Sequence, residues 1–272
     1  MNDIIRARSF GEILDAGFRI VRDRFQVLLA LALIGYAPLG VLMASMNTTG
    51  SEVPDPAELV VSLGAVLLYS LLVLPVVMAA STHVAGEWLL GRSAGLADSV
   101  RMGTSIYMPM VGTFFLWYLA MIGVAGAVAA AFASAAVAGP FGFVVGMVAL
   151  VAGFWVFLGL LLVAQVMVLE RAFGLHPLRR SWALLAGQRA RAFGVVLVAG
   201  VITGVLQMAF MLPTMPFPSI SPIAQYLGNG LGQAFSTAVL CVLYVDLRCR
   251  KEAFDLEHLA RQVGEGDAPD TV

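Results

Sequence analysis

Apolar residues run in long blocks along most of this chain, and the polar residues are gathered between them. Six blocks are long enough to cross a hydrocarbon layer: roughly 26–46, 58–85, 106–133, 141–169, 192–212 and 223–245. A helix rises about 1.5 Å per residue, so about 20 residues cross a core about 30 Å thick. None of the blocks carries Arg or Lys in its middle. Backbone groups in lipid must bond within their own segment, which makes helices the expected form. Pro38 and Pro75 fall near span centres, and each removes a backbone donor, so both predict a kink.

The polar segments have a periodicity of their own. Residues 9–25 place Phe10, Ile13, Leu14, Gly17, Phe18, Val21 and Phe25 on one helical face and Glu12, Asp15, Arg19, Arg22 and Asp23 on the other. Ser9 and Glu12 have capping-box spacing, which satisfies free N–H groups at a helix start. An amphipathic helix lying in a membrane interface is expected there. Shorter amphipathic pieces are expected at Ser93–Thr104 and Pro177–Gly187, the latter with Leu178, Ser181, Trp182 and Leu185 on one face. After the last block, Ala253, Leu256, Leu259, Ala260 and Val263 form a stripe, which predicts an amphipathic tail over 247–263. The remainder, 264–272, reads as disordered.

These pieces recur. Glu87 closes the second block with Gly91 four residues later, Glu170 closes the fourth with Gly174 four residues later, and Asp246 closes the sixth. The pattern predicts an all-α polytopic membrane protein with six transmembrane helices and a single integral membrane domain over 1–263. Its three repeated units are an interfacial helix followed by a helical hairpin, at about 9–88, 89–171 and 172–252. Repeats of this kind often hold a site between them.

Charge gives the orientation. All sixteen Lys and Arg lie in the N-terminal segment, in 87–101, in 170–191 or beyond 246. The alternate connections, 47–56, 134–140 and 213–222, have none, and Glu52, Asp55 and Glu58 are the acids on that side. Cations stay on the cytoplasmic side, so both termini are expected there, in a multi-pass protein of the bacterial inner membrane. Only 12% of the 272 residues are charged and 60% are hydrophobic, whereas a soluble domain carries about 25% charged residues. No basic block is interleaved with aromatics, so nucleic acid is not an expected partner. Cys241 and Cys249 have no metal or disulfide spacing and read as small buried or interfacial residues. Met1–Arg24 is charged throughout and does not read as a signal peptide.

The recurring acids are the candidate site. A carboxylate at a helix C-terminus opposes the helix dipole and calls for a cation beside it. The candidate network at the cytosolic face is Glu87, Arg92, Glu170, Arg171, Arg180, Asp246 and Arg248. His83, one turn before Glu87, and Tyr244 are weaker members. Such a network either staples interfacial helices to the spans or binds a headgroup or partner. Gln165, Gln207, Gln233, Asn229, Ser236 and Thr237 are expected to hydrogen-bond between helices. Gly200, Gly204, Gly228, Gly230 and Gly232 are expected where helices approach closely, or else along a lateral groove for a lipid. No acid or base sits at mid-membrane, and there is no nucleophile elbow, phosphate loop or HExxH. Neither an enzyme nor a cofactor or metal is expected.

The tail from Leu243 to Leu256 (LYVDLRCRKEAFDL) resembles the end of a bacterial membrane-domain family named for its attachment to some glycerophosphoryl diester phosphodiesterases. Leu169-Glu170, Leu178-Arg-Arg-Ser-Trp182 and Gly187 resemble that family's middle segment, and Ile13-Leu-Asp with Phe18 and Phe25 its beginning. The resemblance implies a helical membrane module, with the phosphodiesterase chemistry in a separate soluble barrel that this chain is too short to contain. The expected function is a non-catalytic module that scaffolds or regulates partner proteins or handles membrane lipid at the cytosolic leaflet. A small-solute or lipid transporter with a site between repeats is the alternative, and a membrane-embedded enzyme the third. Oligomeric state is not legible.

Overall fold

The computed structural model describes residues 7–47, 56–217 and 220–252. Every regular element among them is helical: α1 (Phe10–Asp23), α2 (Phe25–Asn47), α3 (Pro56–Leu72), α4 (Leu74–Leu89), α5 (Leu96–Ser105), α6 (Tyr107–Ala133), α7 (Ala135–Ala138), α8 (Pro140–Gly159), α9 (Val163–Leu169), α10 (Leu175–Leu185), α11 (Arg189–Met211) and α12 (Ser221–Glu252), with a 3₁₀ turn at Leu212–Thr214. Six spans among the described residues are long and apolar enough to cross a membrane.

Each block yields a span, but not always one helix. The second is broken at Val73, between α3 and α4. Pro75 explains the break, because it has no N–H with which to continue the ladder. Pro38 lies inside α2 without dividing it. The fourth block is broken at 160–162, between α8 and α9, where no proline stands. The sixth runs seven residues past its expected end, so Asp246 lies inside α12 and does not close a helix. The amphipathic tail beyond Glu252 and the segment 264–272 lie outside the described residues.

The chain divides into two compact units. One holds the residues up to Ser105 and from Gly194 onward; the other is Ile106–Phe193, so a boundary falls inside α11. In the first unit α12 packs against α1, α2 and α4. Leu28 and Leu31 of α2, Val77, Ala80 and Val84 of α4, Ala94 and Ala234 of α12 form its core cluster. Lipid is as apolar as leucine, so burial alone does not hold such helices together; close approach does. Residues two apart on a helix point about 200° apart. Accordingly Gly230 faces Ala32 and Tyr36 of α2, while Gly228 and Gly232 face Phe210 and Thr203 of α11. Gly40 of α2 meets the backbone of Ile223, and Gly17 of α1 meets Val239. Gly200 and Gly204 face open space, contrary to the expectation that they serve close packing.

In the second unit α6 packs against α8, and α10 packs against α8 and α9. Most large side chains of α6 and α8 are exposed, Phe115, Ile122, Val148 and Phe141 among them.

The three short amphipathic helices follow one rule. Each packs along a spanning helix: α5 against α4, α10 against α9, and α1 against α12. The capping box expected at the start of α1 is present, with Ser9 and Glu12 each accepting the other's backbone N–H.

Candidate functional site

The acids expected to form the network are held in three separate joints. Glu87 is in the last turn of α4. Gly91 (φ 74°) turns the chain, and the N–H groups of Gly91 and Arg92 bond back to the carbonyls of Trp88 and Glu87. This is a Schellman turn, which only a residue tolerant of positive φ closes cheaply. It brings Arg92 Nε to 3.4 Å from Glu87 Oε2, with Arg92 largely exposed. Arg24 Nη2 donates to the Arg92 carbonyl at 3.2 Å, and Trp88 Nε1 to Asp23 Oδ2 at 3.2 Å, which ties the α1–α2 corner to the end of α4. His83 is half-buried and, among the described residues, makes no hydrogen bond to Glu87.

Glu170 ends α9. Arg180 Nε donates to both its oxygens, at 3.0 and 3.2 Å, with both side chains mostly buried. Arg171, next to Glu170, is exposed and adopts a left-handed φ of 50°. Gly174 (φ 75°) has the same offset from its acid as Gly91, but it caps the start of α10 where Gly91 follows the end of α4. Its N–H donates to Thr113 Oγ1 of α6 at 2.8 Å.

Asp246 is the most enclosed of the three, with no solvent exposure. Its Oδ1 accepts the backbone N–H of Arg8 at 2.6 Å, and Arg250 Nε donates to both its oxygens at 3.1 Å. Arg250 Nη2 also donates to the Arg8 carbonyl at 2.7 Å. The expected cation, Arg248, instead donates to Glu252 at 2.9 Å and lies 5.9 Å from the ring of Tyr244, which is buried. Arg250 and Arg8 are therefore the residues that the sequence reading missed. The i, i+4 spacing of Asp246 and Arg250 was a visible signal for the first; nothing local marked the second.

A second arrangement, also missed, sits at the break in the fourth span. Between Gly159 and Val163 the helical ladder lapses, leaving backbone groups to be satisfied from elsewhere. Ser181 of α10, fully buried, does this with one hydroxyl: Oγ donates to the Gly159 carbonyl at 2.9 Å and accepts the Leu162 N–H at 3.1 Å. Trp182 packs against Gly159, where any side chain would collide with its ring. Arg189, the first residue of α11, is only 5% exposed. Its guanidinium lies 3.9 Å from the Trp182 ring centre and 4.6 Å from that of Trp155 on α8. Among the described residues its Nε has no hydrogen-bond partner.

Of the polar span residues, Ser236 bonds Thr203 at 3.2 Å between α12 and α11. Gln165 is buried, and among the described residues its Oε1 has no hydrogen-bond partner; Gln233 is exposed. Cys241 and Cys249 are both buried, and the Cys241 thiol lies 3.9 Å from the Thr82 carbonyl.

A family model described as a domain of unknown function (DUF7847) matches residues 9–247. No curated protein and no solved structure matches the chain.

Proposed function

We propose, from the premise that this chain belongs to the DUF7847 family, an integral membrane module without a catalytic centre of its own, which handles anionic lipid or holds partner proteins at the cytosolic leaflet. The observation that carries the reading is the contrast between spans and joints. The spans turn large apolar side chains outward, from Val60 and Leu67 on α3 to Phe115 on α6 and Val201 on α11. The span ends hold carboxylates tied to guanidiniums, with further arginines beside them. Such a surface has no stable place in water, and cationic ends beside apolar walls match an anionic membrane face.

The orientation is part of the proposal: bacterial inner membrane, both termini in the cytoplasm, on the strength of the one-sided Lys and Arg. So is the threefold repeat, but with a different phase. The short helix of each unit docks on the span before it, and α1 takes the place after α12. The resemblance to the phosphodiesterase-associated membrane domain fits the same module and is kept as part of the reading. The break at 160–162 favours a carrier as the second reading, since interrupted helices line the sites of many transporters.

Two measurements test it. A single cysteine replacing Arg92 should react with an impermeant thiol reagent only in inverted vesicles, and one replacing Val137, which is exposed, only in intact cells; the reverse pattern sinks the orientation. Native mass spectrometry of gently purified protein should show bound anionic lipid or a partner that Arg180→Ala weakens. If that variant keeps every co-purifying component, the module reading fails.

A further inference from the structure

Arg189 is a cation with almost no access to solvent. The ring centres of Trp182 and Trp155 lie 3.9 and 4.6 Å from its guanidinium, within reach of cation–π attraction. The guanidinium's N–H groups point outward within its plane, and the Nε N–H has no acceptor among the described residues. A buried donor left without a partner is costly, which makes its position informative.

That position is the start of a 23-residue helix. The first turn of α11 carries Arg189 and Arg191 and no acid. Both arginines therefore stand at the positive pole of the helix dipole, where cations are disfavoured and anions welcomed. One anion at this pole would meet the in-plane donor of Arg189 and the helix terminus together. Trp155 and Trp182 are each about half exposed, so they form a frame at the surface around the enclosed guanidinium. Indoles favour the headgroup level of a bilayer.

We propose that Arg189 and the start of α11, framed by Trp155 and Trp182, form a binding site for a phosphate-bearing anion. In a bilayer this is the headgroup of an anionic phospholipid, an assignment that rests on the membrane reading above. A guanidinium offers phosphate two parallel donors, a geometry that lysine lacks. Ser181 sets the frame, because its hydroxyl bridges the break in span four and seats Trp182 on Gly159.

The test uses the full chain in nanodiscs of phosphatidylcholine, titrated separately with phosphatidylglycerol and with inorganic phosphate. Native mass spectrometry and tryptophan emission are the readouts. Phosphatidylglycerol should bind the wild type about tenfold more tightly than Arg189→Gln, the loss of one charge-assisted hydrogen bond. Arg189→Lys should fall between them, and Arg101→Gln, an exposed arginine elsewhere, should match the wild type. The emission change should mostly vanish in Trp182→Phe. A response to the lipid alone assigns the headgroup; the same response to inorganic phosphate assigns a free anion. Equal binding by wild type and Arg189→Gln overturns the site. So does a wild type whose emission responds to neither ligand, an outcome that needs no variant to fold. A chain that stays in the aqueous phase sinks the membrane reading, and the phosphate titration then still decides the site.

Discussion

Within its span window α6 buries none of its residues, whereas α12 buries 72% of its own, yet α6 is the more apolar of the two. The two helices use their composition in opposite ways. On α12 the buried surface mixes large side chains, such as Phe235, Leu243 and Leu247, with small ones: Gly228, Gly230, Gly232, Ala234 and Ala238. The glycines open the close approaches. They let α2 and α11 come within van der Waals reach of its backbone. On α6 the bulky residues Phe115, Tyr118, Leu119 and Ile122 point away from the protein. In a soluble protein the greasier helix would be the buried one. Here apolar bulk can face outward as readily as inward, and small residues on the inside let helices approach closely, because packing, not escape from water, is what distinguishes the two environments.

That contrast can be broken most directly with one substitution on each side. Gly40→Leu would drive a side chain into the backbone of Ile223, which cannot rotate away. An apparent melting temperature lower by roughly 5–10 °C in detergent is expected. Gly123→Leu on α6 meets nothing within 4 Å, and it should leave the melting temperature within about 2 °C. Equal effects would remove the distinction between the helices. Next in size, Asp246→Ala in α12 strands Arg250 and the Arg8 N–H. Its cost should be about 2 kcal/mol, less than the ~3–5 of a fully buried pair because Arg250 is partly exposed. Glu87→Ala, whose partner Arg92 is mostly in solvent, should cost well under about 1 kcal/mol in the same denaturation series.

Ser181→Ala sharpens the comparison inside the second unit. It leaves the Gly159 carbonyl and the Leu162 N–H without their shared partner and should cost about 1–2 kcal/mol. It should also raise hydrogen exchange at Leu162; unchanged exchange there would mean the break is satisfied in some other way. An effect of the opposite sign is expected at Arg171, where a left-handed φ is held by a residue with a β-carbon. Arg171→Gly should be neutral or stabilise by up to about 1 kcal/mol in thermal unfolding.

The spans were legible because twenty apolar residues in a row leave few alternatives. The N-terminal amphipathic helix was legible from period and capping box alone. Glu87 with Arg92 and Glu170 with Arg180 were readable as neighbours, since a few residues of chain limit where each cation can reach. Three things were not. The interruption at 160–162 lies in an uninterrupted apolar run, and what stabilises it is a hydroxyl nineteen residues from Leu162. Arg189 is a topological marker in sequence terms; its enclosure depends on α8 and α10 meeting it, which no local pattern encodes. The bond from Arg8 to Asp246 spans 238 residues, and the helix that carries Asp246 outlasts its apolar block.

That last bond sets a timetable for synthesis. The ribosome releases α1 first, but the helix it must grip is the final one. At about 5–20 residues per second, the roughly two hundred intervening residues keep α1 waiting for about 10–40 s. Through that interval Ile13, Ala16, Gly17 and Ile20, all enclosed in the finished molecule, lack their mate on α12. Closure of the first unit is therefore a late event, and a nascent chain halted before Ser221 holds an N-terminal clasp with nothing to fasten to.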